Sequence, residues 1–199
     1  MLRSLNNILG STIIATDGEI GSVHDALLED ISWRVAYLVV ETGSWFKRHK
    51  VLLSPSVLKQ PEWGRKVLPV SLAIEQVKSS PDIDTDQPVS RQQEMALNLY
   101  YGWPSYWEIP VEPQEATLTG DPHLRSCREL VGYGVTGAGD RLGQVEDFIL
   151  DDKSWSIRYI VTRAGVESGG HMLLLPTENA REISWTYRRI EFNRPAAIL

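Results

Sequence analysis

Short apolar runs rich in β-branched residues, separated by turn residues, dominate the hydrophobic pattern of the first seventy residues. A continuous apolar run such as Val-Ala-Tyr-Leu-Val-Val is typical of a central strand. Asp17-Gly18 supplies the positive φ that a tight hairpin needs. Several short strands at this close spacing predict a small closed or nearly closed β-barrel. The predicted strands are 12–15, 20–29, 35–40, 50–53 and 67–70.

The same pattern occurs again later in the chain, at an offset of 122 residues, the separation between Gly21 and Gly143. We expect the alignment to lose one residue after Gly165, so that Pro55 meets Pro176, and to regain it before the last tryptophan. A repeat of this length indicates two copies of one domain. The offset relates Gly21 to Gly143, Asp25 to Asp147, Trp33 to Trp155 and Trp63 to Trp185.

The repeat divides the chain into two small domains and a connecting segment. Residues 1–78 are predicted to form the first barrel, 79–128 the connecting segment and 129–199 the second barrel. A domain of this size buries a core only marginally. The seven tryptophans of the chain help, because each supplies a large apolar side chain. Positions shared by both copies are therefore expected to build the fold rather than to perform chemistry.

Charge and cysteine content exclude several classes of protein. The formal net charge of −6 disfavours a dedicated nucleic-acid binder, which needs Lys and Arg to neutralise phosphates. The single Cys127 cannot form an internal disulfide, which suits a reducing compartment. The N-terminus lacks the apolar core of a secretory signal, and no apolar run approaches the roughly twenty residues that span a bilayer. We expect a cytoplasmic protein without a transmembrane segment.

The residues at 17–25 read Asp-Gly-x-Ile-Gly-x-Val-x-Asp and are followed by an acidic turn, Trp33 and an apolar strand that contains Tyr37. This pattern resembles the PRC-barrel family. That family includes the cytoplasmic barrel of the photosynthetic reaction centre H subunit and, more distantly, the C-terminal domain of a bacterial 16S rRNA processing factor. The resemblance covers 9–70 and 130–193. It implies two small β-barrels, and it transfers no catalytic residue.

The connecting segment is too aromatic and too regular for a flexible linker. Ser90 and Gln93 have the spacing of a capping box, and an apolar helical face follows them. Five aromatic residues then fall within 100–107. They are expected either to pack against the barrels or to form an exposed patch for a partner. The candidate partner-binding residues here are Tyr100, Tyr101, Trp103 and Trp107.

A basic and aromatic hairpin distinguishes the first copy from the second. The second copy has in its place the glycine-rich stretch 165–171, which contains no lysine, arginine, tryptophan or phenylalanine. The hairpin is interpreted either as a solvated tip or as a contact for an acidic partner, a lipid headgroup or RNA. Its candidate partner-binding residues are Trp45, Phe46, Lys47, Arg48 and Lys50.

No motif in the chain carries catalytic chemistry, a cofactor or a metal ion. Asp25 and Asp147 lie at matching positions on an apolar strand face, where a carboxylate must be hydrogen-bonded. We interpret them as structural, with a proton relay as the alternative. The acidic run 82–86 lacks the later glycine and glutamate of a calcium loop. We therefore predict no catalytic, cofactor-binding or metal-binding residues.

These observations favour a non-enzymatic binding or scaffold protein. The resemblance suggests a membrane or reaction-centre-like complex, or stress adaptation, as its setting. The alternatives are an RNA or ribosome-assembly accessory protein and an uncharacterised enzyme. The expected partner is an unidentified protein. Homo-oligomers and peripheral membrane contact stay open, and nucleic acid is disfavoured by the acidic balance.

Overall fold

The computed structural model describes residues 1–43, 50–80, 91–103, 124–165 and 170–193, with the backbone alone described for 91–95. The chain is mainly β, as predicted, and its described strands form two sheets. The strands of the first sheet are β2 Thr12–Ile14, β3 Glu19–Glu29, β4 Arg34–Thr42, β5 Lys50–Leu53, β6 Val67–Pro69 and β7 Leu124–Ser126. The strands of the second sheet are β1 Leu2–Ser4, β8 Gly134–Gly137, β9 Asp140–Asp151, β10 Ile157–Ala164, β11 His171–Pro176, β12 Ala180–Ser184 and β13 Arg189–Phe192.

The helices of the described residues are short. Asp17 accepts a hydrogen bond at 2.8 Å from the backbone N–H of Ile74, the first residue of the helix after β6. Ser126 caps another helix by accepting from the N–H of Glu129 at 3.0 Å. The α-helices are α1 Leu5–Ile8, α2 Ile74–Lys78, α3 Arg91–Tyr101 and α4 Cys127–Leu130. The 3-10 helices are Pro55–Val57, Trp63–Arg65 and Thr177–Asn179.

The first sheet has the order β5-β4-β3-β2-β6, and β7 pairs with β3 beside this path. β2 runs antiparallel to β3 and parallel to β6. Fully buried apolar residues such as Ile13, Leu38 and Leu68 form its core. The path has two ends, so the described strands do not close into the predicted barrel.

The second sheet has the order β11-β10-β9-β8-β13-β12, and β1 pairs with β9 beside this path. β8 runs antiparallel to β9 and parallel to β13. Its core contains Phe148, Ile160 and Ile190, all fully buried. Within the described strands this sheet is also open at both ends.

Strand pairing corrects one detail of the expected alignment. Leu38 faces Leu53 across β4 and β5, and Ile160 faces Leu175 across β10 and β11. Both members of the second pair lie 122 residues after those of the first, so no residue is lost in this strand. Pro176 occupies the N-cap position that Ser54 occupies in the first sheet. The expected match of Pro55 with Pro176 is therefore wrong.

The chain forms two compact units, and neither is a single stretch of sequence. One unit consists of Met1–Ile8, Leu28–Val35 and Arg125–Leu199. The other consists of Leu9–Leu27 and Ala36–Leu124. The tip of the hairpin between β3 and β4 thus belongs to the unit that contains the second sheet.

Candidate functional site

The two matching glycines lie where a neighbouring backbone comes too close for any side chain. A Cβ on Gly21 would overlap the carbonyl group of Glu41. A Cβ on Gly143 would overlap the carbonyl group of Arg163, and Gly143 also has φ of +143°. Glycine at both positions is explained by packing and not by ligand binding.

Trp33 and Trp155 are both buried and both adopt left-handed backbone conformations, with φ of 55° and 57°. The carbonyl oxygen of Trp33 accepts from the N–H of Ile157 at 2.7 Å, and that of Trp155 accepts from the N–H of Val35 at 2.8 Å. These reciprocal hydrogen bonds lie inside one compact unit. They join the two turns that contain these tryptophans.

The second pair of matching tryptophans is less alike. Trp63 is half-buried in a 3-10 helix, whereas Trp185 is exposed. The guanidinium carbon of Arg125 lies 5.7 Å from the centroid of the Trp185 ring, in cation–π geometry.

The matching aspartates accept hydrogen bonds from backbone and hydroxyl donors. Asp25 is buried and accepts from the N–H of Ala26 at 2.7 Å. Asp147 accepts from the hydroxyl of Ser4, and from the N–H groups of Asn6 at 3.1 Å and Phe148 at 2.8 Å. A carboxylate held by several donors orders the local backbone, which supports a structural role for Asp147.

Two ion pairs occur at matching positions in the unit that contains the second sheet. Arg3 donates to Asp152 at 2.6 Å, and Arg125 donates to Asp30 at 3.0 Å. All four side chains are largely buried. Burial opposes the ionisation of Asp152, but hydrogen bonds from the N-terminal ammonium group and from Arg3 outweigh it and lower the pKa of this carboxyl.

Most of the predicted basic hairpin lies outside the described residues, including Trp45, Phe46, Lys47 and Arg48. Lys50 is described as the half-buried first residue of β5. Of the candidate aromatic residues, Trp107 also lies outside the described part of the chain.

The remaining candidate aromatics pack largely against their own unit. The rings of Tyr101 and Trp103 stack with centroids 4.2 Å apart, and both rest on a buried apolar cluster. Tyr100 is exposed and meets Tyr101 edge to face, with centroids 4.9 Å apart. Its hydroxyl donates to the carbonyl of Gln76 at 3.0 Å. Tyr100 is therefore the most accessible ring of the three.

Helix α3 covers one face of the first sheet. Leu97 is buried in the cluster beneath it, and the hydroxyl of Tyr37 donates to Oδ1 of Asn98 at 3.2 Å. The sheet contributes six buried residues to this covered face: Leu27, Ala36, Tyr37, Val39, Leu52 and Leu124.

The residues that correspond to this covered face at the offset of 122 lie on one face of the second sheet. The described residues leave that face open. Val161 faces Leu174, and Tyr159 faces Ile149, so these four side chains lie on one face. Ile149 also faces Ser4, which places Leu2, two residues before Ser4, on this face as well. Leu174 is 47% exposed, whereas Leu52 in the covered face is only 1% exposed. We call this surface, with its rim residues Arg158 and Met172, the open face.

The open face was not predicted from the sequence. The apolar residues of β10 and β11 resemble those of β4 and β5, but among the described residues a helix covers the first pair of strands and not the second. The one sequence signal is the replacement of Ala36 in the covered face by Arg158, a charged residue, at the matching position.

A polar cavity of about 350 Å³ lies elsewhere on the second sheet, at the turn between β8 and β9. Arg181 and Arg189 line it, and Arg189 is paired with Glu191 at 2.5 Å. Among the residues that the structure describes, no group of three His, Cys, Asp or Glu side chains is arranged to hold a metal ion.

Comparison with known proteins adds one relative. No family model matches the chain. A protein of Deinococcus radiodurans described as uncharacterized is 32% identical over 90 residues, which is 45% of this chain. The matched region spans about a third of that relative's length, 32%. Across the described residues, no helix combines the length and apolarity needed to cross a membrane.

Proposed function

We propose that this protein is a non-enzymatic binding or scaffold protein built from two PRC-barrel-type copies. The motif at 17–25 and its second occurrence support the family assignment. The strand pairings of β4 with β5 and of β10 with β11 support two copies, because they keep the same offset of 122 residues. The matching ion pairs of Arg3 and Arg125 add to this support.

The observation that carries the binding role is the unequal covering of two matching sheet faces. α3 shields the face that contains Leu52, whereas Leu2, Met172 and Leu174 are each about half exposed on the open face. Large apolar side chains exposed on one sheet face are unfavourable in water and are candidates for an interaction surface. Among the described residues, the first face is covered by α3 and the second face has no such cover, and we infer that the second face contacts a partner.

Two further elements of the proposal rest on the sequence. The setting in a membrane or reaction-centre-like complex, or in stress adaptation, comes from the family resemblance alone. The basic hairpin with Lys47 and Arg48, together with the exposed ring of Tyr100, is a second proposed contact. Positive charge there would speed association and make it salt-sensitive.

Affinity capture from the native host, followed by mass spectrometry, tests this function. The wild type is compared with M172S/L174S, which alters the open face, and with K47S/R48S/K50S, which alters the hairpin. Ile31→Ser is the matched control, because Ile31 is also exposed and apolar but lies in the turn between β3 and β4 and belongs to neither set of substituted residues. We expect at least one protein to be enriched by the wild type and the control, and to be lost with one of the two other variants.

The same experiment can contradict the proposal. Recovery of the same proteins in the same amounts from both surface variants would show that neither surface binds a partner. Nucleic acid that co-purifies with the wild type and is lost with K47S/R48S/K50S would favour the RNA-accessory alternative.

A further inference from the structure

We propose that the open face binds an amphipathic helix of a partner protein that carries a carboxylate beside its apolar stripe. This inference rests on the proposed function, and it names the chemistry of the partner. The covered face supplies the template, because it shows how the chain itself fills a surface of this shape.

The apolar side chains expected of the partner are inferred by comparing each residue of the covered face with the residue at the same place in the open face. Leu97 of α3 is buried against a face that includes Val39 and Leu52. The corresponding side chains of the open face are Val161 and Leu174, which lie directly opposite one another across β10 and β11. A leucine-sized side chain in the same place would remove the half-exposed Leu174 from water, which is favourable in proportion to the apolar area that is buried.

The polar part of the partner follows from the single large difference between the faces. In the covered face, Ala36 and Tyr37 both lie beneath α3. In the second sheet, the pairing of β10 with β9 shifts by one residue between Ile157 and Tyr159, so Arg158 is the bulged residue beside Tyr159. The Arg158 side chain is exposed and donates no hydrogen bond to the described part of the chain. It lies close enough to Asp151 for its charge to add to the Lys153 N–H in lowering the pKa of that carboxyl. The positive charge of the Arg158 guanidinium favours a carboxylate on the partner helix. That carboxylate would take the position that the Asn98 amide of α3 occupies over the covered face.

An aspartate at the position of Asn98 would therefore serve two donors. Its carboxylate could accept from the hydroxyl of Tyr159, as Asn98 accepts from Tyr37 at 3.2 Å. It could also pair with Arg158, and a hydrogen bond between charged groups is about twice as strong as a neutral one. Charge complementarity thus selects an acidic helix over a neutral one.

The test uses the whole chain and two synthetic peptides. The first peptide has the sequence of residues 88–103, which contains α3, and the second is identical except for Asn98→Asp. Binding to the wild-type chain is measured by isothermal titration calorimetry. We expect the Asp peptide to bind with Kd on the order of tens of micromolar. We expect it to bind about tenfold more tightly than the Asn peptide.

Variants of the chain locate the site. Arg158→Ala reproduces the residue of the covered face and should abolish the preference for the Asp peptide. Leu174→Ala should weaken both peptides about tenfold. Ile31→Ala is the matched control and should bind as the wild type does. Circular dichroism melting of each variant establishes that it is folded, and the Arg158 change needs no buried side chain to be removed.

Four results would overturn the inference. Equal binding of the two peptides would remove the acidic specificity. Binding unaffected by Leu174→Ala would place the peptides elsewhere, for example on the covered face in exchange for α3. A dimer in analytical ultracentrifugation that is lost in Leu174→Ala would make a second copy of this chain the occupant. The fourth result is that both peptides fail to bind although capture from the host still depends on Met172 and Leu174. That result would refute the partner helix and leave the proposed binding function in place.

Discussion

Thr162 is a wholly buried residue whose hydroxyl has no hydrogen-bond partner among the described residues. The matching residue of the first sheet is Val40, which is also fully buried. A buried hydroxyl without a partner costs free energy, so Thr162→Val should raise the free energy of unfolding by about 1 kcal/mol. Urea denaturation measures the change.

Thr177 offers the matched control for this prediction. It is buried too, but its hydroxyl donates to the carbonyl oxygen of Ile157 at 2.7 Å. Thr177→Val should therefore lower the free energy of unfolding by about 1 kcal/mol. Equal destabilisation by both substitutions would mean that the Thr162 hydroxyl is hydrogen-bonded after all.

Tyr101 makes a pH-dependent contribution to stability. Burial raises the pKa of its phenol to about 12, and the Ser80 hydroxyl offsets this in part. The unfolded chain releases the same proton near pH 10, so ionisation stabilises the unfolded state first. The contribution of Tyr101 is constant below pH 10 and is lost as the pH rises toward 12. The difference in unfolding free energy between wild type and Tyr101→Phe, followed from pH 9 to 12, should change in that window; a constant difference would contradict the burial of this phenol.

At the scale of the element, the hairpin of β3 and β4 depends on the absence of a side chain at Gly21. Gly21→Ala should lower the free energy of unfolding by about 3 kcal/mol, because the added methyl group would overlap the backbone of Glu41. Gly64→Ala is the control, since open space surrounds Gly64 and a change within about 0.5 kcal/mol is expected. Thermal or urea unfolding compares the two, and a similar small effect at both positions would show that β4 does not approach Gly21 closely.

Most strands of the first sheet could be read from the sequence, including the three-residue strands β2 and β6, which lie within the predicted runs 12–15 and 67–70. The run predicted at 35–40 is the centre of β4, and the run at 50–53 is β5. β1 and β7 were missed, because each contains a single apolar residue and no β-branched residue. A signal for them does exist: both read Leu-Arg-Ser, at Leu2–Ser4 and Leu124–Ser126, separated by the same 122 residues as the rest of the pattern.

At the scale of the whole molecule, the accessibility of a sheet face depends on whether a helix covers it. The apolar pattern of the strands does not reveal whether such a helix is present. Leu52 and Leu174 occupy equivalent places in similar apolar strands, and among the described residues a helix covers Leu52 and leaves Leu174 exposed. The structural roles of Asp25 and Asp147 could be proposed from the repeat, because residues that occur in both copies are expected to build the fold. The open face could not, because its exposure depends on residues distant in the sequence.

The account depends most directly on the register of the hairpin formed by β10 and β11. A shift of one residue would move every side chain of β11 to the opposite face and bury Leu174. NMR cross-peaks between facing strand residues measure this register in solution. We predict cross-peaks that place Val161 opposite Leu174, matching those that place Val39 opposite Leu52. Cross-peaks that place Val161 opposite Leu173 would contradict the constant offset of 122 residues and remove the open face.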